Sequence, residues 1–219
     1  MQRRVFDRLV SSAGALLVVV LLVAGGLLTW ASSYTGSQVK TQLAMQDVYF
    51  PTAAELKTAT KNNTGEYQAR MVPYLKQYAG KEVLTGAEAE AFANHFIAYH
   101  LQAMPYHGVY SKISAAALAA IPGTANAKSL TSLESTVFQG TTLRGMLLEA
   151  YAFGFMGTLA MWGAIASFVG AVILAILVML GLAHARTVPA DSKIFADREV
   201  EEHEAHRHPW LVGEPEETA

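Results

Sequence analysis

Six of the seven histidines fall in two clusters, and they are the first residues to ask about chemistry. His95, His100 and His107 lie within thirteen residues, and His203, His206 and His208 stand in EVEEHEAHRHPW. Imidazole exchanges a proton near neutral pH and is the commonest ligand of transition metals. Two histidines that share a metal on one helix sit at i, i+4 or i, i+3. His95 and His100 are five apart, which at 3.6 residues per turn turns them about 140° from each other. Pro105 cuts His107 off from that helix, no cysteine is present, and Glu88 and Glu90 stand a turn or more away. The first cluster therefore reads as partly buried structural histidines on a Phe92–Phe96 aromatic stripe, with metal binding as an alternative. The second sits in a tail whose spacing suits only weak binding of a divalent ion.

Other chemistries leave no trace. There is no Gly-x-Ser-x-Gly, no phosphate-binding loop, no His-Glu-x-x-His and no dinucleotide fingerprint. The Ser, His and Asp residues have no spacing that commits them to a triad. The expectation is a non-enzyme with no cofactor. A formal net charge of −2, with no basic cluster outside the flanks of the apolar stretches, argues against nucleic acid. Asn62-Asn63-Thr64 matches a glycosylation sequon and is taken as chance.

The elements that would hold these residues are unusual. The 219 residues are 52% hydrophobic and 16% charged, against about 25% charged in soluble domains. Ala13–Ala31 and Ala150–Ala183, 19 and 34 residues, contain no Asp, Glu, Lys, Arg or His. A bilayer core of about 30 Å needs about 20 such residues as helix, and only a helix pairs its own backbone in lipid. The first stretch exceeds the 7–15 apolar residues of a cleaved signal and reads as an uncleaved anchor. Neither span holds an ionisable group, so neither suggests an ion pathway. The outer flanks of the pair carry Arg3, Arg4, Arg8, Arg186, Lys193 and Arg198; the inner flanks carry Lys40 and Arg144. Six against two predicts both termini in the cytoplasm and the middle outside, with Trp30, Tyr34 and Trp162 at the outer interface.

The domain plan is a cytoplasmic N-terminus (1–12), transmembrane helix 1 (13–34), an extracytoplasmic helical domain (35–149), transmembrane helix 2 with an apolar outer extension (150–185), and an acidic, His-containing cytoplasmic tail (186–219). The fold class is an all-α membrane protein. The second apolar stretch is longer than one crossing requires, so Ala150–Ala160 must pack on the outer domain, tilt into the interface or meet a partner. Gly163, Ser167 and Ala171 recur every fourth residue with Gly170 beside them, and Gly25-Gly26 could match them across a helix pair. Ala150, Tyr151, Phe153, Phe155, Gly163, Ser167, Gly170 and Ala171 are the candidate docking residues. Partners would be the lipid bilayer and other membrane proteins or a second copy of the chain. In the tail, Pro209-Trp210-Leu211-Val212 is a second, smaller apolar patch.

Residues 35–149 carry nine Lys/Arg against eight Asp/Glu and a helical pattern throughout, without alternating strands. The first helix is expected to continue through Gln38–Val48. Thr52 with Glu55 and Thr85 with Glu88 are capping boxes, the second opening Gly86–Met104 before Pro105. Glu66–Tyr78 is expected as a helix interrupted at Pro73 and ended by Gly80, Val109–Ile121 as an Ala-rich helix ended by Pro122-Gly123, and a last helix from near Lys128. Seven tyrosines between Tyr49 and Tyr110 supply bulk to an Ala-rich core.

LAMQDVYFP (Leu43–Pro51), EAFANHFIAYHL (Glu90–Leu101) and TLRGMLLEAYAF (Thr142–Phe153) resemble a group of uncharacterised actinobacterial two-pass membrane proteins, some mislabelled as aromatic ring-opening dioxygenases. The resemblance implies a bacterial plasma-membrane protein. Ring-opening dioxygenases hold iron through a His/carboxylate set that this outer domain does not assemble, so no functional residue carries over. Three readings follow: a non-catalytic accessory or scaffold subunit docking a larger membrane or envelope assembly; an extracytoplasmic sensor or ligand-binding module; and a metal-binding protein using His95, His100 or His107.

Overall fold

The apolar stretches set the architecture, because each lies inside a helix far longer than itself. The computed structural model describes residues 3–61 and 65–187, so the tail histidines, Pro209–Val212 and the sequon Asn62-Asn63-Thr64 lie outside the described residues. Helix α1 covers Arg3–Ala44 and helix α7 covers Ala125–Thr187. Both are long and apolar enough to cross a membrane. Between them run α2 (Ala53–Lys57), α3 (Val72–Leu75, tightening to a 3₁₀ turn at Lys76–Tyr78), α4 (Gly86–Phe92), a π turn (Ala93–Ile97), α5 (Ala98–Ala103), a 3₁₀ turn (Pro105–Gly108) and α6 (Tyr110–Ala119). No strand occurs among the described residues; Tyr49 and Glu82 make an isolated antiparallel bridge.

The chain divides into two compact units, Met1–Leu27 with Ala164–Ala219, and Leu28–Gly163. In the first unit, α1 and α7 pack through small side chains. Ser11, Ala164, Ala171 and Ala185 are almost wholly buried, and on α7 these positions, with the partly buried Val178, follow a seven-residue spacing, the period of a left-handed helix pair. A Cβ on Gly14 would lie 2.6 Å from Val178, and one on Gly25 would lie 2.9 Å from Phe168. The large side chains point the other way: Leu16, Val20, Val23, Val172, Ile176 and Leu180 are all exposed. Such a surface would be costly in water and costs nothing in hydrocarbon.

The second unit has a real core. Val39 and Leu43 of α1 pack with Phe50, Leu56, Met71, Leu75, Val83, Ala89 and Phe92. Phe50 is its centre, stacked on Tyr78 with ring centroids 4.9 Å apart and edge-on to Phe92 at 5.4 Å. The Phe50 N–H donates to the Lys81 carbonyl and the Val83 N–H to that of Val48, which clips two extended segments together. A smaller cluster joins Leu101, Ile113 and Val137.

Both capping boxes form. The Thr85 and Leu84 N–H groups donate to the Glu88 carboxylate, and the Glu88 N–H returns a bond to the Thr85 hydroxyl. Thr52 and Glu55 do the same at α2. The Thr52 N–H, then its hydroxyl, hold the Glu55 carboxyl below its ordinary 4.5. A lowered acid stabilises the fold above its unfolded value, and that contribution is lost as pH falls through the folded value. Thr52→Ala is therefore expected to lower the thermal midpoint at neutral pH, and that difference should shrink as pH drops below 4.5. An unchanged difference in acid would show that the carboxylate takes no part.

Several boundaries differ from expectation. Helix α1 stops at Ala44 and turns through Asp47, whose φ is +53, instead of continuing to Val48. Only the second half of Glu66–Tyr78 is helical: the helix begins at Val72, and Pro73 helps open it instead of interrupting it, since proline is at ease where no helical N–H is needed. α6 is one residue shorter at its start and two at its end than Val109–Ile121. α7 begins at Ala125 because the Thr124 hydroxyl accepts from the Ala127 N–H, a cap that precedes Lys128.

Candidate functional site

The apolar collar Ala150–Ala160 lies wholly in the second unit, and its two sides meet different surroundings. One side is built on glycine. A Cβ on Gly86 would stand 3.1–3.2 Å from the Ala150 carbonyl and the Cα atoms of Tyr151 and Gly154. Only because Gly86 and Gly154 lack side chains does α4 begin directly on the backbone of α7. Ala150 and Leu147 pack on the main core from the same helix.

Next to this packed face runs a row of largely exposed side chains. Tyr151, Phe155, Leu159 and Trp162 are 39%, 50%, 55% and 66% exposed. Their spacing of four, four and three puts them on one helical stripe, and the Tyr151 and Phe155 rings lie 6.2 Å apart. Tyr151 and Phe155 form one wall of a cavity of about 420 Å³, with Gly36, Lys40 and Thr85 opposite. Phe153 projects elsewhere, into a cavity of about 400 Å³ against α1.

Of the small residues, Gly163 belongs to the second unit, where a Cβ on it would lie 3.2 Å from Leu28. Ser167, Gly170 and Ala171 belong to the first. Ala171 is fully buried, Ser167 and Gly170 partly so, and Gly170 approaches Leu21. The described face of α7 thus follows a seven-residue repeat through Ala164 and Ala171, with Ser167 between, more closely than a four-residue row. On α1, Gly25 lies against Phe168 and Gly26 faces open space.

The histidines of the second unit are separated from one another by their partners. The π turn falls on Ala93–Ile97, so the angle counted at 3.6 residues per turn does not hold across it. His95 lies flat on Tyr74, centroids 3.7 Å apart and planes within 1°, with its Nδ1 3.3 Å from the Tyr99 hydroxyl. His100 Nδ1 is 2.8 Å from the Phe96 carbonyl oxygen; a carbonyl only accepts, so Nδ1 carries the proton. His107 is exposed, with φ +56, in a left-handed turn. Among the described residues no three His, Asp or Glu side chains gather as a metal-binding group.

Two polar groupings escaped the sequence. Arg70 donates to the Gln68 amide oxygen, the Tyr99 carbonyl and Gln102, while its guanidinium lies 4.4 Å from the Tyr99 ring centroid. Gln68 beneath it is completely buried. This ties the irregular segment before α3 to the end of the π-containing helix. Second, Arg144 donates to Asn94, which donates to Glu90. The i, i+4 spacing of Glu90 and Asn94 on an expected helix was the available signal.

Comparison with protein-family models, with curated proteins and with solved structures gives no match.

Proposed function

We propose that this chain is a non-catalytic two-pass membrane protein, an accessory or scaffold subunit of a bacterial plasma-membrane assembly. Both termini lie in the cytoplasm and residues 35–149 lie outside. The observation that carries the docking role is the exposed stripe Tyr151–Phe155–Leu159–Trp162, large aromatic and aliphatic side chains in one row beside the face that Gly154 packs on Gly86. Exposed contiguous apolar rows of this kind mark contact with protein or lipid. The orientation is supported by the distribution of Lys and Arg.

Because the chain has no cysteine, single cysteines report topology directly. Met45→Cys and Leu118→Cys, at positions 76% and 86% exposed, should react with a membrane-impermeant maleimide on intact cells. Protection of both until the cells are lysed would reverse the proposed orientation.

The docking role is tested by capture of the full chain after mild detergent extraction. A partner should co-purify at fixed stoichiometry. Tyr151→Ser/Phe155→Ser should weaken that association by at least about thirtyfold, as for two residues at the centre of an interface, with the thermal midpoint unchanged. Free monomer in several mild detergents, or association indifferent to the double substitution, would remove the proposal.

A further inference from the structure

The cavity on the Phe153 side has a construction that the docking role leaves unused. One wall is a ridge of α1, Tyr34, Gln38 and Gln42 at intervals of four, with Gln46 added from the turn just past the helix end. The floor is Val39 and Leu43, both buried, and the opposite wall is Met146, Ala150 and Phe153. A second cavity of about 100 Å³ shares Leu43, Gln46 and Met146 and reaches inward to Phe92 and Ile97. No ionisable group except the tyrosine lines either space. At about 400 Å³ the larger cavity is within the ordinary range of ligand sites.

We infer that this groove holds one acyl chain of a lipid with an uncharged headgroup. First, the place: Tyr34 stacks on Trp30, centroids 5.5 Å apart, and this aromatic pair ends the apolar stretch of α1, where tyrosine and tryptophan settle at a lipid–water boundary. A chain leaving the bilayer beside Tyr34 and Phe153 runs along Val39 and Leu43 toward Met146. Second, the shape: an apolar floor with an inner extension suits a long flexible chain better than a compact solute. Third, the charge: three carboxamides, each able to donate and accept, form the polar rim without Lys, Arg, Asp or Glu. A phosphate headgroup would find no cation there, whereas the hydroxyl and ester groups of a diacylglycerol would find both partners.

The inference rests on the membrane placement proposed above, and the test separates the two. The full-length protein is reconstituted in phosphatidylcholine vesicles that carry a trace of diacylglycerol with a photoactivatable acyl chain, irradiated and mapped by peptide mass spectrometry. Labelling is expected on 34–46 and 143–153 as well as on the apolar segment 172–182. Gln42→Trp, at an exposed position on the ridge, should reduce groove labelling by about tenfold or more, the equivalent of two methylenes no longer buried, and leave 172–182 unchanged. Gln38→Leu/Gln42→Leu, which keeps the shape and removes two amides, should erase the preference for diacylglycerol over a phosphatidylglycerol carrying the same label. Labelling of 172–182 with a dark groove overturns the inference alone. Equal groove labelling by the neutral and the anionic probe overturns the charge argument and with it the proposed ligand class. No labelling of any segment overturns the membrane placement and the inference together.

Discussion

Gly108→Ala is expected to destabilise the second unit by about 3–5 kcal/mol, a loss that single substitutions seldom reach. Tyr106, His107 and Gly108 are three successive residues with φ of +56, +56 and +65. Each non-glycine residue in this region costs about 1–2 kcal/mol, and the chain already bears two. A Cβ on Gly108 would add a third and would lie 2.4 Å from the Leu101 carbonyl oxygen and 2.7 Å from its carbon. Those atoms belong to the last turn of α5, fixed from the other side where Leu101 packs with Ile113 and Val137. Neither partner can retreat without breaking the turn that sends α6 back along α7. Gly123→Ala is the control: φ there is +81, yet nothing lies within 4 Å of the added atom, so only the conformational cost of about 1–2 kcal/mol applies. Chemical denaturation of the full chain in detergent compares them, and equal losses would mean that the contact with Leu101 yields easily.

Phe50→Ala should cost a similar 3–5 kcal/mol, the usual range for removing a buried phenylalanine. Phe50 is 2% exposed, and its ring contacts both Tyr78 on the 3₁₀ turn and Phe92 at the end of α4. Its backbone also clips onto Lys81, so the cavity cannot close by a shift of the segment that carries it. Phe50→Leu keeps most of the volume and should lose less than half as much. Limited proteolysis gives a second reading: the alanine variant should be cut sooner in 45–60, while α1 up to residue 40 stays protected. A loss under about 1 kcal/mol would show that the neighbouring rings collapse into the space.

The sequence made the two long helices, both capping boxes and the Gly86-to-Pro105 helix legible, because each depends on contacts within four residues. Thr52 and Glu55, or Thr85 and Glu88, carry their own partners along the chain. Glu66–Met71, the first half of an expected helix, was not legible for the opposite reason. Its backbone is held by Arg70 and Gln68 reaching about thirty residues ahead to Tyr99, and no periodicity announces such a contact. The π turn was hidden in the same way: Ala93–Ile97 has an ordinary helical composition, and His95 lies on Tyr74, which belongs to a different helix. At the candidate site the apolar surplus of Ala150–Ala160 pointed to the right helix. It could not say which side was free, because that is decided by Gly86, more than sixty residues earlier.

The pairing of α1 with α7 has a consequence for how the chain is made. Gly14 rests on Val178, 164 positions later in the chain. At 5–20 residues per second, synthesis leaves about 8–30 s between the appearance of one and the other. Throughout that interval the small-residue face of the first helix has no intramolecular cover, and the helical domain around Phe50 has every residue of its core before the pair can close. The nascent chain therefore has its middle before its ends can meet, and until then no part of the chain can occupy the seam.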